Sequence, residues 1–469
     1  MSDVNALRSK LAGHALGEPS PYELTHGEGR RARIPVDARR GAGEEDRALA
    51  GPAHAPGRGL RELWARQRFM ATESLSNWAG LDYNRSDLAS SSPPAGGSGM
   101  ARRMVVLDSP HERAYPLSHE HGTRIELARR LASFKGFDFA GEYDPSRRYK
   151  GPLYFVPSDT LTSERANQLG IRSEGDLLGG VVPYAFAATK VITHPLVEPD
   201  ACAPAGWSRD FAHHVHDHVL VGFSVFTHED ARRAGARLLG QGPVRVKPVR
   251  ASGGQGQKVI SSAAELEGAL RSLHATALLQ DGLVLEENLN DVTTYSVGEI
   301  RVAEHVASYW GTQRLTRDNS GAAVYGGSDL TVMRGDLASL LQLELPNEVR
   351  RAVEHARVYD TAASTHFPGL LASRRNYDVA AGMSAGGRRR MGVLEQSWRI
   401  GGSSSAEIVA LESFQADPTL RVVRAASVEL YGDSAAVPAN ASVFFRGIDD
   451  RVGPITKFAV VDRNGDTRG

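Results

Sequence analysis

Residues 247–256 read Lys-Pro-Val-Arg-Ala-Ser-Gly-Gly-Gln-Gly and lie between the short apolar runs 244–246 and 259–260. Glycines this dense let the backbone turn tightly and aim several N–H groups at one point, which suits an anion such as a phosphate. Lys247, on the entering strand, adds a point charge. Strand, loop and strand together make a flap, with Ser252, Gly253, Gly254 and Gly256 in its loop. A ligand-free Gly-rich hairpin would read the same way, so the surrounding sequence has to decide.

A chain of 469 residues has room for about two to four domains. Its formal net charge is zero, which gives no reason to expect nucleic acid or an anionic membrane as a partner. The lone cysteine, Cys202, excludes an internal disulfide framework and points to a reducing compartment. No apolar run is long enough to span a bilayer, and the N-terminus lacks the apolar stretch of a signal peptide. The expectation is a soluble cytoplasmic protein with neither nucleic-acid nor membrane partners; a homodimer is left open.

Residues 1–99 differ from the rest. Segments such as Ser90-Ser-Ser-Pro-Pro-Ala-Gly-Gly97 cannot bury much apolar surface, so a disordered extension is expected, with one short helix around 60–70. Folded patterning begins just after Met100. Strand-like 104–107, a helix over 124–134 (Ile125, Leu127, Leu131 and Phe134 at helical spacing) and strand-like 153–156 predict a small α/β unit over 100–190. An α+β lobe over 191–290 follows. In it, Thr227-His-Glu-Asp230 and Ser262-Ala-Ala-Glu265 have capping-box spacing ahead of helices, and a strand covers 283–286. A third unit, 291–412, holds alternating segments, a long helix around 348–363 and strands at 377–380 and 391–395. Residues 413–469 read as a β-rich tail with strands near 421–423, 442–445 and 457–461.

The second informative stretch is Met391-Gly-Val-Leu-Glu-Gln-Ser-Trp-Arg-Ile-Gly-Gly402. On a strand, i, i+2 and i+4 share a face, so Glu395, Ser397 and Arg399 point the same way. A carboxylate, a hydroxyl and a guanidinium in a row can bind a hard cation and the phosphate it bridges; a surface strand with a charge pair is the plain alternative. Asp378 lies on the preceding strand. If the two strands form a hairpin, Asp378 and Glu395 reach the same cation. Past Arg399, Gly401, Gly402 and Ser403 lead into a helix whose Ser404 and Glu407 have capping-box spacing; its N-terminus could receive a substrate carboxylate or be an ordinary cap. His213, His214, His216 and His218 suit no standard zinc spacing and read as an exposed turn. Arg388-Arg-Arg390 reads as a solvated hairpin tip. There is no Walker A pattern and no Gly-x-Gly-x-x-Gly after a strand.

The order Lys-Pro…Gly-Gly-x-Gly, apolar-Glu-Glu-x-Leu, Asp, then Glu-x-Ser-x-Arg resembles the ATP-grasp superfamily over roughly residues 190–412. The whole chain, including Gly179-Gly-Val-Val-Pro-Tyr184 and Ala188-Thr-Lys-Val-Ile-Thr-His-Pro195, looks most like a bacterial family of unknown function, DUF3182. The resemblance implies an α+β ATP-grasp fold whose two lobes, 191–290 and 291–412, enclose ATP. Lys247 would contact the α- and β-phosphates, Lys190 would be the earlier ATP-binding lysine, or else a plain surface lysine, and residues 252–256 would cover the triphosphate. Glu286, Glu287, Asn288 and Leu289 would hold adenine, the first and last through their backbone. Asp378, Glu395 and Ser397 would hold one or two Mg2+ ions, and Arg399 would face the transferred phosphoryl group. Ser397 stands where the superfamily usually has Asn, which puts a second ion in question, and Trp398, in place of a small residue or proline, would narrow the pocket. The implied activity is ATP-dependent ligation of a carboxylate to an amine or thiol through an acyl phosphate. Phosphoryl transfer to another acceptor, or ATP binding without turnover, are the alternatives.

Overall fold

Strand β1 (Met104–Asp108) is buried along its whole length, as expected of the centre of a parallel sheet covered on both faces. The computed structural model describes residues 103–109, 118–250, 256–433 and 436–462. The N-terminal extension, the helix expected around 60–70, and Ser252, Gly253 and Gly254 lie outside the described residues. Helix α1 (His119–Lys135) starts at Ser118, whose side chain accepts from the Glu120 N–H, and stops at Gly136 in the left-handed conformation. β2 (Asp138–Glu142) and β3 (Leu153–Pro157) flank β1 in parallel, in the order β2-β1-β3. A short strand, β4 (Leu161–Thr162), leads into α2 (Ser163–Leu169). β5 (Gly180–Val182) pairs in parallel with β4.

Helix α3 (Arg209–His214) leads into an antiparallel sheet of order β6-β9-β7-β8. Its elements are β6 (Gly222–Val225), α4 (His228–Leu239), β7 (Val244–Pro248), β8 (Lys258–Ile260), α5 (Ala263–Arg271), α6 (Ala275–Asp281) and β9 (Leu283–Glu287). Both expected caps are present: Thr227 accepts from the Asp230 N–H and Ser262 from the Glu265 N–H. β7 and β8 are the two sides of the Gly-rich loop.

The rest of the chain builds one eight-stranded sheet of order β15-β14-β10-β11-β12-β16-β18-β17. Three long strands come first: β10 (Asn290–Val302), β11 (His305–Arg317) and β12 (Ala323–Arg334). They are followed by α7 (Leu337–Leu340), α8 (Asn347–His366) and the short β13 (Leu371–Ala372), which pairs with β5. β14 (Arg374–Met383) and β15 (Arg389–Ser397) form a hairpin, and α9 (Ser404–Ala416) follows. The C-terminal strands β16 (Val422–Tyr431), β17 (Ser442–Asp449) and β18 (Gly453–Asp462), read from sequence as a tail, continue the same sheet through β12–β16 pairing. Helix α8 covers one face of the sheet, packing Val353, Ala356 and Tyr359 against Val297, Tyr377, Val379 and Val393. Helix α9 covers part of the other, where Ile408, Leu411 and Phe414 share a core with Ile300, Tyr309, Leu330 and Ala425, and with Val105, Leu107, Leu127 and Leu131 of the first unit. The fold class expected from the sequence, an α/β unit followed by two α+β lobes, is the one observed. No described helix is long and apolar enough to cross a membrane.

Candidate functional site

The site is built on the β14–β15 hairpin. Asp378 pairs directly with Glu395, and Asn376 with Ser397. Cross-strand partners share a face, as do residues two apart, so these four side chains form one block of oxygen-bearing groups. Between the Asp378–Glu395 and Val379–Val393 pairs β15 carries an extra residue, Leu394, a bulge of the kind that re-aims side chains beside functional sites. From the neighbouring strand, Ser296 donates to Asp378 Oδ1 (3.2 Å), and Gln313 Nε2 donates to Ser296 Oγ (3.2 Å). Burial, and the Glu395 carboxylate opposite, push the Asp378 carboxyl above its usual range, so the pair is suited to a shared cation.

A cation is already there. Lys190 Nζ lies 2.7 Å from Glu395 Oε2, and Lys190 is only 4% exposed, which removes the reading of a plain surface lysine. Lys190 opens a single 3₁₀ turn, Lys190–Thr193, capped by Thr189. Gln396 ties that turn to β15 by donating to the carbonyls of Ala187 and Thr189, both at 2.9 Å.

The second expected lysine, Lys247, is buried on β7 with Nζ 2.7 Å from Glu286 Oε1. The other oxygen of Glu286 meets His194 Nε2 at 3.1 Å. His194, absent from the sequence expectations, is fully buried, and Gly222 admits its ring: a Cβ at Gly222 would lie 2.9 Å from it. Burial alone would raise the Glu286 pKa. Lys247 and His194 more than offset burial and hold it at about 2. The folded-state value is depressed from 4.5, so this stabilisation is present above pH 4.5 and is lost as pH falls towards 2. At ~1.4 kcal/mol per pKa unit it amounts to roughly 3 kcal/mol. Acid titration of unfolding should show Glu286→Gln flattening the wild-type loss of stability over that window; an unchanged slope would refute the assignment.

The strand exit after β9 joins the lobes. Glu287 Oε1 accepts from the Val221 N–H and from Arg390 Nε, both at 3.0 Å, and Asn288 Oδ1 accepts from Arg245 at 2.7 Å. Leu289 is buried beside Gly382. The solvated-tip reading of 388–390 holds for Arg388, exposed at the end of the 384–388 turn, and is corrected for the other two: Arg389 and Arg390 begin β15 and pair with Glu348 and Glu287, Arg389 still exposed. Gly256 keeps a positive φ of 68° where the flap returns to β8.

Beyond Ser397 the alternation continues. Gln396, Trp398 and Ile400 are buried, while Glu395, Ser397 and Arg399 are partly open. Trp398 therefore does not narrow the pocket. Its ring is buried on the opposite side, donating to Tyr377 Oη (3.2 Å), and its Cβ would sit 2.6 Å from a Cβ at Gly180. Arg399 reaches Asp159, in the loop after β3, at 3.6 Å. Gly401, Gly402 and Ser403 lead into α9, with Gly402 against the Tyr325 ring. The capping-box reading of Ser404 and Glu407 is also corrected. Ser404 Oγ accepts from the Gly401 N–H, and Glu407 is fully buried against Arg374, with Oε1 2.8 Å from Nη2. Arg374 also donates to Ser403 Oγ (2.9 Å) and to the Arg399 carbonyl, so a buried guanidinium takes the carboxylate that a cap would have used. Of the four clustered histidines, His213, His214 and His216 are exposed, and His218 meets His355 at 3.2 Å. No group of three or more His, Cys, Asp and Glu among the described residues forms a ready metal cage.

Fold and site together define a two-lobed α+β protein with two buried lysines and a carboxylate pair around the joint of its lobes. The chain belongs to the family described as Protein of unknown function (DUF3182), whose model matches residues 106–459. No curated protein matches the sequence. Among solved structures it is similar to N5-carboxyaminoimidazole synthetase from Staphylococcus aureus complexed with ADP (12% identity, 77% of this chain and 93% of that one, TM-score 0.44). It is also similar to a biotin carboxylase–ATP complex from Campylobacter jejuni (11%, 76% and 81%, 0.40) and to D-alanyl-alanine synthetase A from Vibrio cholerae (12%, 64% and 89%, 0.37).

Proposed function

We propose that this chain is an ATP- and Mg2+-dependent ligase of ATP-grasp type, which activates a carboxylate as an acyl phosphate for attack by an amine or thiol. The observation that carries the reading is the convergence of the motifs. Lys190 is ion-paired to Glu395, Glu395 faces Asp378 across a hairpin, and Lys247 lies on β7, the strand beside β9 that leads into the Gly-rich stretch of the sequence. Phosphate oxygens require such cations, and a hard divalent ion requires oxygen donors. The donor set fits: two carboxylates, an amide and a hydroxyl on one face, in the manner Mg2+ accepts alongside phosphate oxygens. Bound there, the ion would supply charge neutralisation for the moving phosphoryl group.

The chain's own residues then have distinct tasks. Lys190 and Lys247 exchange carboxylate partners for phosphate oxygens. The 251–256 loop excludes water that would hydrolyse an acyl phosphate. Arg399, at the boundary with the first unit, meets the acceptor end, and Gly401, Gly402 and Ser403 at the start of α9 suit a substrate carboxylate. The positions of Glu286 and Leu289 at the lobe joint suit an adenine held by backbone groups. Ser397 favours one alternative, an ATP-binding protein without turnover, because a hydroxyl is a weaker ligand than an amide. Release of ADP from Mg2+-ATP in the presence of pooled small carboxylates and amino acids tests the reading. Substrate-stimulated release is expected; nucleotide binding without stimulated release across broad pools would favour the binding protein.

A further inference from the structure

We propose that Asn376 is an oxygen ligand for the divalent cation held by Asp378 and Glu395, supplying from β14 the amide that β15 lacks at Ser397. This rests on the metal-dependent reading above. Asn376 and Ser397 are cross-strand partners, so an amide and a hydroxyl occupy facing positions of the same hairpin, one step along from the two acids. Asn376 is buried, at 8% exposure, and its carboxamide touches the acid site directly: Nδ2 donates to Asp378 Oδ1 at 3.0 Å, and Oδ1 accepts from Tyr309 Oη at 3.0 Å.

That arrangement has a second solution. The Tyr309 hydroxyl has one proton and two acceptors in reach, Asn376 Oδ1 at 3.0 Å and Glu407 Oε1 at 2.7 Å. Turning the Asn376 amide over by about 180° exchanges its oxygen and nitrogen at nearly unchanged positions, the ambiguity inherent in every carboxamide. The nitrogen then donates to the Tyr309 oxygen, and the Tyr309 proton goes to Glu407. The amide oxygen now faces Asp378 Oδ1 across the same 3.0 Å. Two acceptors at that distance repel each other unless a cation lies between them. Adjacent oxygens around Mg2+ bound at about 2.1 Å are themselves about 3 Å apart in an octahedron. With no cation between the two oxygens the amide is turned as a donor to Asp378, and a cation would turn it into a ligand. The partners required on the far side, Tyr309 and the buried Glu407, are already in place.

The test uses Mn2+ as the probe, with ADP present, on the full chain; bound metal is read from loss of the free-ion EPR signal. Asn376→Leu removes the oxygen at similar volume and is expected to weaken Mn2+ binding by about tenfold or more. Asn376→Asp keeps an oxygen, removes the donor, and should retain Mn2+ affinity. Ser397→Ala should cost less than Asn376→Leu, and the exchange Asn376→Ser with Ser397→Asn should recover much of the loss. Wild-type affinity in Asn376→Leu, or equal loss in Asn376→Asp and Asn376→Leu, would overturn the proposal, the second because it marks the amide as only a donor to Asp378. Failure of the underlying reading looks different: Asp378→Asn and Glu395→Gln would then leave Mn2+ binding intact. Near-ultraviolet circular dichroism of each variant separates loss of ligand from loss of fold.

Discussion

Arg374→Met is expected to destabilise the folded chain by about 3–5 kcal/mol, the cost of leaving a buried charge without its partner. Glu407 is fully buried, and its Oε1 accepts from Arg374, Ser403 and Tyr309. Removing the guanidinium leaves that carboxylate to be carried by neutral donors in a site closed to water. The same guanidinium also fixes the Arg399 carbonyl and Ser403, so the turn between the hairpin and α9 loses its main restraint. The measurement is the urea midpoint of Arg374→Met beside the double variant Arg374→Met/Glu407→Leu. The double variant should recover most of the loss, because a buried pair replaced by apolar groups of similar size is often close to neutral. A single variant as stable as wild type would mean that water or a shifted side chain already compensates Glu407.

Glu395→Gln is expected to abolish the Mg2+-dependent part of nucleotide binding. Changes in groups that only support metal ligands cost about 10–100-fold, so loss of a direct ligand should cost at least tenfold. The informative quantity is the ratio of ADP affinities with and without Mg2+. The wild-type ratio should be large, and that of Glu395→Gln close to one. The substitution also removes the carboxylate charge that Lys190 meets at 2.7 Å, so metal-free affinity for nucleotide should not fall and can rise. An unchanged ratio would remove Glu395 from the metal site.

The hairpin was legible because its information is local. A strand alternates with period two, and the acids at 378 and 395 fell opposite each other once the intervening glycines were given to a turn. The same alternation, extended past Ser397, would have put Trp398 on the buried side; its reading as a pocket residue came from the resemblance, not from the period. His194 and Arg374 carried no such signal. Their partners, Glu286 and Glu407, lie 92 and 33 residues away in sequence, and only the tertiary fold brings each charge to its counter-charge. Strands β10 to β12 run longer than their apolar segments because polar residues interrupt them on the face that carries the acids, among them Ser296, Gln313 and Ser328, of which Ser296 donates to Asp378.

The pairing of α1 with β17 bears on how this molecule is made. The Asp449 carboxylate accepts from the His119 N–H across 330 residues of sequence, and Gly122 leaves room for the Phe445 ring. The first described helix thus rests on a strand 330 residues further along, which emerges only after both lobes have been made. The usual order, in which an N-terminal unit completes itself while the remainder is still being translated, is closed to this chain. Its first described unit waits, with apolar surface uncovered, until β17 has been made.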